Sequence, residues 1–267
     1  AIDVAAEYGA AVAVPPSAKA ELLRQAVTSA DWPTLAGTML SRAHAMFAQC
    51  LGLQHASIAC VTKLRGLLHA HLGAHAAAVE CFRAVIALCE SEDVEVDEQS
   101  TAGVKYNLGV CLMACGDYAG AVSSFTSVRD VYARCRGEWH PSVTAVTAKL
   151  AQAQRAGMES QYTHLYSAAL GAYADKRYKD AHDAFIAALA LLPNDAQTAY
   201  HVATCCVHVG CCEGGVDWFS RAVEWGYADI ASVLSDPDMA HLCTDVRFLR
   251  LLSRANAEDE ESDVDVD

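Results

Sequence analysis

The sequence predicts an all-α fold, a solenoid of antiparallel helical hairpins, and three observations predict it. A spacing of small, turn, small and aromatic residues recurs: Gly109, Gly116, Ala121 and Phe125; Gly66, Gly73, Ala78 and Phe82; Ala203, Gly210, Gly215 and Phe219. Within the first of these copies Leu108, Cys111 and Leu112 share one side of a helical period. After the Gly116-Asp117 break, Ala121, Val122, Phe125 and Val128 make a second apolar stripe. Finally, 53% of the 267 residues are hydrophobic but only 7% aromatic, and six are proline, which suits closely spaced helices better than a β-sandwich.

Taken in order, residues 1–16 are an alanine-rich extension ended by Pro15-Pro16. Ser17 is a fitting N-cap for a helix carrying Leu22, Leu23 and Val27, with Asp31-Trp32-Pro33 as the turn and a second helix to about Cys50. Arg24, Ala36 and Leu40 make this a weaker copy of the repeat. The connector Cys50-Leu51-Gly52-Leu53-Gln54-His55-Ala56 returns 85 residues later as Cys135-Arg136-Gly137-Glu138-Trp139-His140-Pro141. His140 is expected to bond nearby backbone as a cap, and Pro141 suits the first helical position, where its missing N–H costs nothing. The acidic run Glu90 to Glu98 reads as a solvated loop or frayed helix end.

After Val143 a single helix is expected to reach about Ala156, with Gly157 opening another repeat. Ala169, Ala181, Phe185 and Pro193 repeat the pattern without a turn glycine, and Ala169 to Ala203 is a step of 34. Trp218 and Trp225 read as packing residues. Asp236 and Asp245 precede short helices, and Phe248 and Leu252 can cover the open end of the stack. The division expected is therefore an extension over 1–16, a first block over 17–157, a second block with capping helices over 158–254 and an acidic disordered tail over 255–267.

The residues Leu108-Gly109, Gly116-Asp117-Tyr118, Ala121 and Phe125 resemble a tetratricopeptide repeat, a unit of about 34 residues. The longer step of about 42 residues over 17–157, with Gly137 and then His140-Pro141, is similar to the repeats of kinesin light chains. The segment from Leu234 to Leu252 resembles the terminal segment that often closes such arrays. The resemblance implies a right-handed superhelix that binds protein segments along a groove lined by the first helix of each hairpin.

Charge narrows the partners. The net charge is −14, but six acids lie in 90–98 and seven in 258–267; without them 20 acids face 19 bases. The repeat body carries no basic stripe, so nucleic acid is excluded as an expected partner. Asp3 and Glu7 stand where a signal peptide would be basic, and no apolar run reaches ~18 residues, so no membrane span is expected. The chain starts at Ala1, which suits a piece of a longer or processed product. Twelve irregularly spaced cysteines inside helical patterns point to a reducing, cytoplasmic setting.

No nucleotide-binding glycine loop, nucleophile elbow or paired zinc-protease histidines are found, so no enzyme activity and no cofactor are expected. The one metal-like pattern is His201, Cys205, His208 and Cys212, at helical spacing. Cysteine is also a common core residue, and Gly210 should break the helix before Cys212. Resemblance to chaperone-binding tetratricopeptide domains implies a carboxylate clamp: Lys63, Asn107 and Lys149 match it, while Leu67 and Ala145 depart from it. In the second block Tyr166, Tyr200 and Thr204 are expected to line the groove. The expectation is a non-catalytic scaffold or adaptor for a partner's peptide or helix. Other readings are a co-chaperone-like carboxylate binder, a permanent subunit of a large cytoskeletal or ciliary assembly, and a zinc or redox protein. The acidic tail serves either solubility or, through Ser262 and its neighbouring acids, a basic groove elsewhere.

Overall fold

The structure, a computed structural model, describes residues 32–53, 55–90, 97–229, 233 and 235–253. The expected extension, the helix over 17–30, most of the acidic run and the tail lie outside the described residues. Every regular element among the described residues is a helix, and none is long and apolar enough to cross a membrane. The chain divides into two compact units, Ala1–Ala153 and Gln154–Asp267.

In the first unit, α1 (Trp32–Leu51), α2 (Ala56–His71), α3 (His75–Cys89), α4 (Glu98–Ala114) and α5 (Tyr118–Arg136) lead into α6 (Pro141–Ala174). The α2/α3 and α4/α5 hairpins share one mechanism. A Cβ at Gly66 would sit 2.8 Å from the Phe82 ring, and one at Gly109 would sit 2.8 Å from that of Phe125. Glycine is therefore needed to bring each aromatic ring close against the facing helix, where both phenylalanines are fully buried. Val146, Leu150 and Ala153 of α6 complete this core.

In the second unit, α7 (Tyr178–Leu191), α8 (Ala196–His208) and α9 (Cys212–Glu224) follow α6. Ala169 and Ala203 hold the positions of Gly66 and Gly109, opposite buried Phe185 and Phe219. A 3-10 helix, Pro237–Thr244, is capped by Asp236, whose carboxylate accepts from the Asp238 N–H at 2.9 Å. Helical residues 246–253 then bring Phe248 within 4.9 Å of Phe219, and Phe248 and Leu252 are buried. Trp218 and Trp225, both half-buried, pack edge to face against the core.

The hairpin turns repeat atom for atom. Each places one residue in the left-handed region: Gly73 (φ 76°), Gly116 (φ 81°), Lys176 (φ 62°) and Gly210 (φ 85°). In each, the N–H of the residue after it donates to the carbonyl five back: Ala74 to His69, Asp117 to Leu112, Arg177 to Ala172 and Cys211 to Cys206, at 2.8–2.9 Å. This is the Schellman arrangement that satisfies otherwise unpaired helix-end groups. Lys176 takes the conformation although it is not glycine.

The structure corrects two element boundaries. Trp32 and Pro33 form the first turn of α1 instead of a loop, because proline's absent N–H is not needed there. The helix expected to stop near Ala156 runs through Gly157 to Ala174. One interior glycine costs only about 1 kcal/mol against alanine, and its alanine, glutamine and glutamate neighbours outweigh that.

Candidate functional site

The histidine connectors set the register of the first helices. His55 and His140 each precede a helix and accept through Nδ1 from the N–H two residues on, Ser57 and Ser142, at 3.1 Å. Counted from these caps, Leu64 and Lys149 hold the same repeat position, as do Leu67 and Gln152; in the middle hairpin Asn107 and Val110 stand to Gly109 as Leu64 and Leu67 stand to Gly66. These positions point away from the Gly66 and Gly109 contact side. Leu64 is 51% exposed, Leu67 38% and Val110 39%, while Asn107 and Lys149 are half-buried. Lys149 Nζ donates to Gln152 Oε1 at 3.0 Å. Lys63 and Asn107 make no hydrogen bond or ion pair among the described residues.

The face therefore grades from apolar on α2 to amide on α4 to cationic on α6. Lys63 stands one residue off this register, at the edge of the exposed stripe. Leu67, where the clamp pattern has asparagine, supplies apolar surface instead of a donor.

Sequence reasoning missed a second feature of the first unit. Two open depressions of about 460 and 360 Å³ lie between α3, α4 and α5 and share Lys105, Ser123 and Ser127. Lys105 pairs with Glu90 at 3.0 Å and Arg134 with Glu98 at 2.6 Å, so the lining largely neutralises its own charge. The alternation of serines with buried valines and Phe125 on α5 is the sequence signal that could have found it.

In the second unit the expected groove residues fall inside the packing. Tyr200 is buried, stacks on Tyr227 at 4.6 Å and donates its hydroxyl to Asp236. Thr204 is buried and donates to the His201 carbonyl at 2.9 Å. Neither offers a binding surface, because the next turn and the 3-10 helix close over α8. Tyr166 is half-buried, edge-on to Phe185 at 5.6 Å and beside Tyr162.

What forms there is a set of tyrosine latches. Tyr162 donates to Asp195 at 2.7 Å, Tyr200 to Asp236 and Tyr173 to Asp238. Asp195 and Asp236 are also the N-caps of α8 and the 3-10 helix, so each carboxylate caps one element and ties it to the preceding first helix. Burial above all, with the Asp195 carboxylate adding to it and the Thr198 hydroxyl opposing it, raises the phenol of Tyr162 to about 12, and burial pushes Tyr200 and Tyr173 up further. The carboxyl of Asp238 is held below its ordinary value by the Tyr173 hydroxyl first and then by His208.

These contacts separate the metal-like pattern. His201 lies stacked on Phe185 at 5.2 Å, and burial lowers its pKa. Cys205 is fully buried, with its thiol raised to about 12 by desolvation. His208 stacks on Tyr178 at 3.9 Å and reaches Asp238 at 3.1 Å. Cys212 lies beyond Gly210, at the start of α9. Among the described residues no three His, Cys, Asp or Glu side chains converge as a metal site.

No family model and no curated protein matches the chain. Solved structures of similar architecture include the nearly identical TPR-like repeats of a putative kinesin light chain from Podosopora anserina, 17% identical, covering 78% of this chain and 93% of that one at a TM-score of 0.44. BtubC from P. vanneervenii is 17% identical over 80% of this chain and 83% of its own, at a TM-score of 0.35. The TPR2AB domain of yeast Sti1, solved with pHSP90, is 12% identical over 86% of this chain and 91% of its own, also at 0.35. The first of these is described by its TPR-like repeats and the third as a TPR domain; the hairpin architecture of the present chain stands on its own turns and cores.

Proposed function

We propose that this chain is a non-catalytic scaffold whose first unit binds an extended or helical segment of a partner protein along the outward face of α2, α4 and the first half of α6. The observation that carries it is the register: Leu64, Asn107 and Lys149, with Leu67 and Val110, occupy equivalent exposed or half-exposed positions on successive first helices. Exposed leucines beside a half-buried amide and a lysine suit a segment with apolar side chains at one end and a carboxylate at the other. A carboxylate alone would find fewer donors than a full clamp provides, because Leu67 and Ala145 donate nothing. Apolar contact is the larger part of the binding, and Lys63 lends charge from the edge. Cysteine-rich helices suit work in a reducing compartment such as the cytoplasm.

The test is capture of partners from the lysate of the native cell with three baits: wild type, the Lys63→Ala/Asn107→Ala/Lys149→Ala variant and a Leu64→Ser/Leu67→Ser variant. The serine variant should lose the partner and the triple variant should weaken it, more so at low salt. Retention of the same partners by both variants, with unchanged circular dichroism, would move the site away from this face.

A further inference from the structure

The α8/α9 turn differs from its counterparts in one respect. The residues joined by the closing hydrogen bond are His69 and Ala74, Leu112 and Asp117, Ala172 and Arg177, and finally Cys206 and Cys211. In this motif those two side chains meet across the turn, and only here are both thiols. The 2.8 Å bond from the Cys211 N–H to the Cys206 carbonyl, with the covalent lengths on either side, keeps the two Cα atoms within roughly 6.7 Å. A disulfide needs about 4.4–6.8 Å.

The sulfurs also converge. A Cβ placed at Gly214 would lie 3.0 Å from Cys211 Sγ and 3.7 Å from Cys206 Sγ, so both border the same small space, which the absent side chain at 214 leaves open. Their exposures are complementary. Cys211 is exposed at the turn, while Cys206 is buried at 6% exposure.

We infer that Cys206 and Cys211 are a reversible oxidation site, closing to a disulfide across the last hairpin turn with a peroxide as oxidant. The Cys211 thiolate attacks one peroxide oxygen: the S–O bond forms, the O–O bond breaks, and the leaving hydroxide takes a proton to become water. Cys206 then attacks Cys211 Sγ, the S–S bond forms, the S–O bond breaks, and a second water leaves. The two thiols lose their hydrogens and the peroxide is reduced to two waters. Small thiols reverse the bond by exchange. Burial raises the Cys206 thiol to about 11, with Cys211 adding to the shift, so ring closure speeds up as the pH rises. Cys205 faces the core and is held out of the reaction.

The test uses the full chain, reduced and then exposed to hydrogen peroxide in its native state. Remaining thiols are blocked with iodoacetamide, the protein is reduced, and newly freed thiols are labelled with N-ethylmaleimide. Fragmentation of the tryptic peptide covering 180–221 then assigns the second label. Equal labelling of Cys206 and Cys211, with Cys205 and Cys212 carrying only the first, is the expected result. In Cys206→Ala, dimedone should trap a sulfenic acid at Cys211. A second label on Cys212 or Cys205, or none at Cys206 while wild-type Cys211 is oxidised, would overturn the assignment.

Discussion

The two units solve the same packing problem with different chemistry. Around the first unit's hairpins the polar ties are surface pairs, Arg134 with Glu98 and Lys105 with Glu90. Inside them, glycine brings Phe82 and Phe125 against the facing helix. In the second unit alanine replaces glycine at those positions, and part-buried tyrosine hydroxyls on capping aspartates join one hairpin to the next. Exposed ion pairs contribute roughly 0–1 kcal/mol and fade with salt, whereas a satisfied buried hydrogen bond is costly to break from one side. The repeat thus specifies the ring and the turn, and leaves the chemistry of the junction free.

The largest test is removal of the rings. Phe125→Ala and Phe185→Ala should each cost about 3–5 kcal/mol, measured by urea unfolding. Hydrogen exchange should show the loss confined to the unit that carries the substitution; equal loss in both units would break the comparison. Next comes Gly109→Ala, whose new Cβ meets the Phe125 ring at 2.8 Å. Overpacking of this kind costs roughly 1–3 kcal/mol, whereas Ala203→Gly, its mirror in the second unit, should cost only about 1 kcal/mol through chain entropy. Thermal melts of the two variants decide it.

Alkaline pH should separate the units. Folding keeps the Tyr162 and Tyr200 phenols protonated above their ordinary value of 10.0, so unfolded tyrosines ionise first. The stability from this difference is fully present below pH 10 and is lost as the pH climbs towards 12. Exchange in the second unit should rise over that window, and Tyr162→Phe should flatten the dependence; an unchanged profile would remove the latches from the account. The smallest effect is expected at Lys176, held at φ 62°. Lys176→Gly should raise stability by up to about 1 kcal/mol, the relief of left-handed strain exceeding glycine's entropy cost. A loss would mean that the lysine stem compensates by packing.

Much of this was legible in the residues. The Gly109 and Phe125 contact, the His140 cap with Pro141 behind it, and the burial of Phe248 and Leu252 follow from spacing and cap chemistry, which act over one or two helical turns. The fate of Tyr200 and Thr204 was not legible: a helical period places a residue on a side of its helix, but what covers that side depends on elements far along the chain, here Asp236 and Tyr227. The same holds for Lys63, whose charge suggested a clamp while its register sets it at the edge of the face. Gly157 misled because glycine often marks a turn, yet nothing in the packing required one there.

By itself, the sequence determined the all-α class, the hairpin as unit, the turns that close it and the rings that fill it, since these rest on periodicity and backbone geometry within about 34 residues. Tertiary structure alone decided which first-helix residues reach solvent, the partition of aspartates into latches, the scattering of the histidines and cysteines that look like ligands, and the convergence of Cys206 and Cys211 beside Gly214. Those outcomes depend on distances between side chains on different helices, and a linear pattern carries no such distances until the hairpins have packed.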